Sequence, residues 1–594
     1  MAQNKFFQDE LNYLRELGAA FAEQNPSLAN LLSEEGEDPD VERLFEGFAF
    51  LTGRIRQKLE DEIPEISHSL IELLWPNYLR PVPAMSILAF TPRLHVLSEQ
   101  TKIAKGAVVQ SAEVDGTACI FRTCYDVDVS PIAISDAKIT HKTDSTELSL
   151  HFSLESGVAS ADLGLKKIRL FLHDEQKIQV ATVLYLHFFR YLQNFDVALN
   201  FYDGTVKLVQ GLSKEYVHPV GFADSESLLP ADSSMFSGYR LLQEYFQFQK
   251  KFLFIDIKGI GNLISLPDIE SFSLKFRFSK FDIDSIKKEN FRLFCTPIVN
   301  LFEHDGSPIR VNNQRIEYFL RPDTKFSSHI EIFSVDSVEG KVKGKIDQNT
   351  YTAYETFQHH DLQLSTSNSF FYKLRKVPAT ISDGVDHYLY LHNSSANEFA
   401  DHEEIISTRL TCTNRNLASA LQVGQVAYYS GNSPDIVTFK NIINTTEALP
   451  PPFERKLHWR LISNLAIQYN SLASIDSLRL LIKYYDFAAI GNRQKQRSNQ
   501  QMHEGIEFIN TSTYERIVKG LPVSGLKTTL HLRESKFGAK GLIGEANMFI
   551  FASVLNIFFS QYARTNSFHI LEVIAVESGE NYQWNMHHGK RALF

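Results

Sequence analysis

Histidine, cysteine and paired carboxylates are the side chains with which these 594 residues would do chemistry, and none falls at a working spacing. His402-Glu403-Glu404 begins like a zinc-protease helix, but no histidine stands four residues after His402, so one helix cannot present two ligands. Cys119 and Cys124 lie in a strand-like run with no second cysteine pair. The adjacent His359-His360 and His587-His588 point their side chains apart on either a strand or a helix, which suits surface positions better than a metal. Gly259-Ile260-Gly261 lacks the third glycine of a dinucleotide fingerprint. Gly538, Gly541 and Gly544, three apart, suit a turn better than a phosphate cradle. Asp126 and Asp128 alternate with Val127 and Val129, so the carboxylates share the polar face of a strand rather than forming an acid-base pair. The chain contains no GxxxxGK followed by Ser or Thr, no GxSxG and no HExxH. The expectation is therefore no catalytic residue, no metal and no cofactor. Four scattered cysteines, Cys119, Cys124, Cys295 and Cys412, read as buried free thiols rather than a disulfide framework.

The elements around these residues change period along the chain. Asp38 is a good N-cap, Pro39 suits a first helical position, and Val41, Leu44, Phe45, Phe48, Leu51, Ile55 and Leu59 recur at helical spacing. Pro64 starts a second helix that Pro76, Pro81 and Pro83 end. Beyond Pro83 the period becomes two, as in MSILAF, TELSLHFSLE and LKFRFSKFDID, with Gly, Ser, Asp and Pro between the runs. Pro450-Pro451-Pro452 is the clearest interdomain break. Helical spacing restarts at Leu457, with Trp459 and Arg460 as a candidate interdomain stack, and again at Leu478 and Met548. GNRQKQRSNQQ (491 to 501), polar, basic and free of aromatics, reads as a mobile loop. The expected fold is α+β and multidomain: a helical N-terminal arm (1–85), β-rich, sandwich-like middle domains (86–290 and 291–449), and an α+β C-terminal domain (450–594).

The hydrophobic content of 43% is ample for large cores. No apolar run approaches the roughly 20 residues that a membrane span needs, and MAQNKFFQDELNYL lacks the basic and apolar regions of a signal peptide, so the chain reads as soluble and cytoplasmic. Of the net charge of −10, residues 1–65 carry −9, from six basic and fifteen acidic side chains. Phosphate backbones and anionic lipid heads repel such an arm, which argues against nucleic acid and against direct membrane insertion. A basic protein partner fits it, as does a solvated face that aids solubility.

The stretch DPDVERLFEGFAFLTGRIRQKLEDEIPEISHSLIELLWPNYLRPVP (38 to 83) also resembles the TssF family, known too as ImpG or VasA, of type VI secretion baseplates. The resemblance continues in order through PVGFADSESLLP (219 to 230), FSGYRLLQEYFQFQKKFLFIDI (236 to 257), CTPIVNLFE (295 to 303), EIFSVDSVEG (331 to 340), LTCTNRNL (410 to 417), LHWRLISNLAIQYNSL (457 to 472) and FASVLNIFFSQYARTNSF (551 to 568). It implies a structural wedge protein without catalytic role, two copies joining one TssG, and six wedges surrounding the spike hub (VgrG). It further implies links to TssE, to TssK and the membrane-docked complex, and to the sheath. A wedge protein of a phage-tail-like contractile particle is an alternative within the structural class. A cytosolic multidomain hydrolase is one outside it.

Two sets of residues are candidate partner contacts. Helical geometry puts Phe50 opposite the apolar stripe, beside Gly47, Gly53 and Arg54; glycines there leave room for another backbone, and Phe50 is read as an intermolecular anchor while Phe48 belongs to the chain's own core. Tyr239 and Arg240 fall on a short helix that Ser237 could cap and that Leu241, Leu242, Tyr245 and Phe246 would bury. In Thr413-Asn414-Arg415-Asn416, a buried Arg415 is expected to fix a loop.

Overall fold

A computed structural model describes Leu11, Arg43, 46–52, 68–72 and, from Trp75 to Gly589, all residues except 94–98, 156–162, 175–178, 231–236, 265, 284, 312–314, 323–327, 343–347, 355–369, 380–383, 394–403, 430–436, 453–473, 488, 490–492, 519 and 539. The chain divides into two compact units, Met1–Leu73 with Glu454–Ile462, and Leu74–Phe453 with Ser463–Phe594.

In the first unit residues 46–52 are helical, as the spacing predicts. The stripe is otherwise placed. Ala49 is the buried residue, while Phe48, Phe50 and Leu51 are 58%, 54% and 60% exposed. Phe48 and Leu51 are therefore not part of this chain's own core. Periodicity identifies the residues that want cover, but it does not say whether the same chain supplies it. Leu44, Phe45, Gly53, Arg54, Ile55 and Leu59 lie outside the described residues, as do His402, His359-His360 and the run at 457–472 with Trp459 and Arg460.

The second unit is α+β and rich in strands. One antiparallel six-stranded sheet takes Val426–Tyr429, Val108–Val114, Thr117–Thr123, Cys295–Val299, Met85–Pro92 and Val437–Asn441, in that order. Met85 pairs with Val299, so a division at 290/291 runs through hydrogen-bonded strands. Its end strands return to each other at Asn441, whose side chain accepts the Val426 N–H at 2.9 Å and whose carbonyl accepts the Gly424 N–H at 3.0 Å. A five-stranded sheet (Val206–Ser213, Leu192–Phe201, Ile269–Phe278, Thr146–Leu154, Ile132–His141) and a four-stranded one (Val217–Pro219, Phe254–Lys258, Lys167–Leu172, Phe291–Leu293) fill most of the region to residue 293. A larger sheet spans Phe302–Thr413, with Glu331–Val342 against Glu404–Thr413 as its longest pairing.

The helices used below are α1 (Gln179–Leu186), α2 (Ser237–Gln247), α3 (Ile475–Tyr485), α4 (Arg493–Glu504) and α5 (Leu542–Ser560). α4 occupies the segment expected to be a mobile loop. Arg, Gln and Lys are good helix formers, and Asn499, aimed at the buried Asp486 carboxylate, with the buried Met502 fixes one face of the helix. α5 corrects the reading of apolar length: its 19 residues have a mean hydropathy of 1.7, enough to cross a membrane by length and composition. It is instead a core helix, 72% buried, packed against α1, α2 and the strand Phe568–Ala575. A helix apolar on every side needs protein on every side. It connects two parallel strands, Leu521–Leu532 and Phe568–Ala575, and the first of these also forms a long hairpin with Ile506–Val518.

Candidate assembly surfaces and the core that positions them

The residues of PVGFADSESLLP fold into a strap tied by charge to three surrounding elements. Gly221, at φ +97°, starts it: a Cβ there would stand 2.7 Å from the Lys251 carbonyl oxygen and 3.2 Å from the Tyr125 hydroxyl, so only glycine fits. Glu226 accepts the Gly221 N–H at 2.7 Å and pairs with Arg169 at 3.2 Å; Arg169 also grips Asp256 at 2.6 Å. Arg240 holds Asp224 at 2.6 Å, and Lys105 donates to the Ser225 carbonyl at 2.8 Å. Glu244 of α2, fully buried, accepts the Leu228 and Leu229 N–H groups at 2.8 and 3.1 Å and forms an ion pair with Lys251, itself 1% exposed. Sequence reading missed this pair. An acid and a lysine seven residues apart, in a segment otherwise rich in aromatics, were its only trace.

Tyr239 and Arg240 are consumed by the same core. Tyr239 stacks on Tyr485 at 5.2 Å between centroids and shares a 2.7 Å hydrogen bond with the Tyr562 hydroxyl. Both residues are at most 5% exposed, so the expectation of a partner contact there is corrected: burial on α2, between α3 and α5, leaves no accessible face. Ser237 is the first residue of α2 rather than a residue before it, and its hydroxyl accepts from Gln561 Nε2 at 2.7 Å. Thr413 and Asn414 are the buried residues of the TNRN turn, and Arg415 is half-buried. The Asn414 side-chain oxygen accepts from Asn300 at 2.8 Å and from the Ile120 N–H at 3.1 Å, linking the six-stranded sheet to the larger one, while Arg415 takes a positive φ of 49°.

The described candidates for chemistry are buried or paired. All four cysteines are buried free thiols. Burial pushes the Cys119 thiol up to about 11 and those of Cys124 and Cys412 up to about 12, so the thiolate is scarce at neutral pH. Asp126 is exposed and pairs with Lys102 at 2.7 Å, while Val127 and Val129 are buried, as the alternation predicts. Among the described residues no three His, Cys, Asp or Glu side chains are grouped to hold a metal ion.

Exposed apolar side chains occur at several places on the described surface, and two of these groups project from short or unsupported elements. One is the 46–52 helix, where a Cβ built on Gly47 meets no described atom within 4 Å. The other is the tip of the long hairpin. Of the strand Leu521–Leu532 only Leu526–Leu532 pairs with Phe568–Ala575, so residues 512–517 and 520–524 extend beyond that third strand, with Ile517 75% and Leu521 68% exposed.

Comparison with known proteins covers the whole architecture. The family model described as "Type VI secretion system, TssF" matches residues 2–591. The protein described as "Type VI secretion system component TssF1" from Pseudomonas aeruginosa is 26% identical over 99% of this chain and 98% of its own length. A chain of the TssK-TssF-TssG baseplate subcomplex of the type VI secretion system, solved by cryo-electron microscopy, has a TM-score of 0.75 and 28% identity, covering 93% of this chain and 99% of that one. A chain of a type VI secretion baseplate complex has a TM-score of 0.62 and 25% identity over the full length of both.

Proposed function

The chain belongs to the TssF family of the type VI secretion system, and from that membership we infer that it is a structural baseplate component that works by presenting protein interfaces. The observation that carries the reading is likeness from end to end: the family match, the curated relative and the subcomplex chain each span at least 93% of the sequence. In detail, we propose that two copies join one TssG as a wedge. Six such wedges would surround the spike hub (VgrG), with TssE attached, TssK linking to the inner-membrane-docked complex and the sheath built above. The chain would then act in the cytoplasm with no cofactor and no catalysis. A core of buried ion pairs and stacked aromatics suits this role, because a wedge that repacks its interfaces when the sheath fires needs rigid bodies between them.

The exposed Phe48, Phe50 and Leu51 support a helix contact of the first unit with TssG or a sister copy, as Phe50 alone suggested from sequence. The test is co-expression with TssG and TssK from the same genome, capture through a tag on this chain, and native mass spectrometry. Retention of one TssG and two copies of this chain supports the proposal. Capture of neither TssG nor TssK overturns it.

A further inference from the structure

The strap over α2 differs from the elements around it in how its backbone is held. Among the described residues, no backbone–backbone hydrogen bond joins 221–230 to another part of the chain. The two that form stay inside the segment, from the Glu226 N–H to the Ala223 carbonyl at 3.0 Å and from the Ser227 N–H to the Asp224 carbonyl at 3.3 Å. The Glu226 carboxylate closes the same turn, accepting the Gly221 and Ala223 N–H groups at 2.7 and 3.4 Å. A loop bonded to itself in this way can leave its place without breaking a strand or a helix. Its polar hold on the rest of the chain is made by side chains. Lys105, Arg169, Arg240 and Lys251 donate to it, Asn77 donates to the Pro230 carbonyl at 3.0 Å, and Glu244 accepts its Leu228 and Leu229 amides. Phe222, against the Phe252 ring at 4.9 Å, and the buried Leu228 and Leu229 add apolar contact.

The cations that hold the strap keep other partners without it. Arg169 retains Asp256 at 2.6 Å, Lys251 retains Glu244, and Arg240 retains Glu244 at 3.9 Å. Lys105 is already exposed. Departure of the strap therefore strands no buried ion, which is what makes one-sided loss of a buried pair so costly. Gly221, at φ +97°, supplies a joint at one end, because glycine adopts either sign of φ.

We propose that residues 222–230 form a latch that opens as one unit about Gly221 while α2, α5 and the sheets stay folded, baring the guanidinium groups of Arg169 and Arg240. The latch changes the surface beside α2 without unfolding a helix or a sheet. The inference goes beyond the baseplate reading and does not rest on it.

Native-state hydrogen exchange of the full chain in urea below its unfolding transition tests the latch. The Leu228 and Leu229 amides should exchange about a hundredfold faster than the buried Val554 and Leu555 amides of α5, and with a shallower dependence on urea, because opening exposes little surface. Exchange at the rate and urea dependence of α5 overturns the proposal, since the strap would then leave only when the whole fold does. Glu226→Gln keeps the turn's acceptor but removes the charge that Arg169 grips. If the segment moves as one unit, the variant should speed exchange at Leu228 and Leu229 about tenfold while α5 stays as in the parent. Unchanged exchange at those two amides in the variant also overturns the proposal.

Discussion

Removing the carboxylate of Glu244 should loosen the strap over α2 more than any other single change in its network. In Glu244→Ala the Lys251 ammonium, 1% exposed, keeps the Glu226 carbonyl at 3.4 Å and the face of the Phe252 ring but no counter-charge, and the Leu228 and Leu229 N–H groups lose their acceptor. Breaking a buried ion pair from one side costs roughly 3–5 kcal/mol, and each stranded amide adds about 1–3 kcal/mol. Lys251→Met is the milder perturbation, because Glu244 retains both amides and the Arg240 guanidinium at 3.9 Å. In the double variant Glu244→Gln with Lys251→Met, the glutamine oxygen still accepts from the two amides, neither member of the pair is charged and Arg240 keeps Asp224 at 2.6 Å, so stability should return to within about 1–2 kcal/mol of the parent. Hydrogen exchange at the Leu228 and Leu229 amides, followed beside thermal unfolding, reads the effect locally. A loss of about 3 kcal/mol corresponds to exchange faster by roughly two orders of magnitude. The reasoning is refuted if Glu244→Ala exchanges like the parent, or if the double variant is as unstable as Glu244→Ala.

Four further outcomes are expected. Gly221→Ala should destabilise the strap by at least about 1–2 kcal/mol, since its φ of +97° and the Lys251 carbonyl both exclude a Cβ, and thermal unfolding checks it. Burial pushes the Asp486 carboxyl up to about 6 and the His569 imidazole down to about 3. Between about 4 and 6 the folded chain holds a proton on Asp486 that the unfolded chain releases, so this group's contribution is gained as pH falls through 6 and lost as it rises. His569 acts oppositely: its contribution is full above about 6.5 and is lost below, where only the unfolded imidazole is protonated. Asp486→Asn should thus gain on the parent from pH 5 to pH 8, and His569→Gln should gain on it from pH 7 to pH 5, each by up to about 1.4 kcal/mol per pH unit in urea titrations. Phe48→Asp should leave thermal unfolding nearly unchanged but lose partner capture, and a collapse of the isolated fold would return Phe48 to the chain's own core. The four thiols should react with Ellman's reagent only in denaturant, and a fast thiol in the native protein would contradict their burial.

Local physics was legible in the sequence. Period-two patterning marked the strands, so Val127 and Val129 point in and Asp126 points out; the spacing of Leu478, Leu481 and Ile482 marked α3; and the scatter of the cysteines marked them as free. The run of family motifs from end to end carried the family, because each motif was read in order along the chain. What the sequence did not hold is which surfaces meet. The pairing of Met85 with Val299, the closure at Asn441 and the Glu244–Lys251 pair over the strap depend on contacts between segments brought together only by folding. Polarity misled for the same reason. α4 looks like a loop until Asp486 meets Asn499, and Phe48 looks like core until its helix is seen to bury Ala49 instead. Periodicity fixes which side chains seek cover; only the tertiary arrangement decides whether the cover comes from the same chain or is left for another.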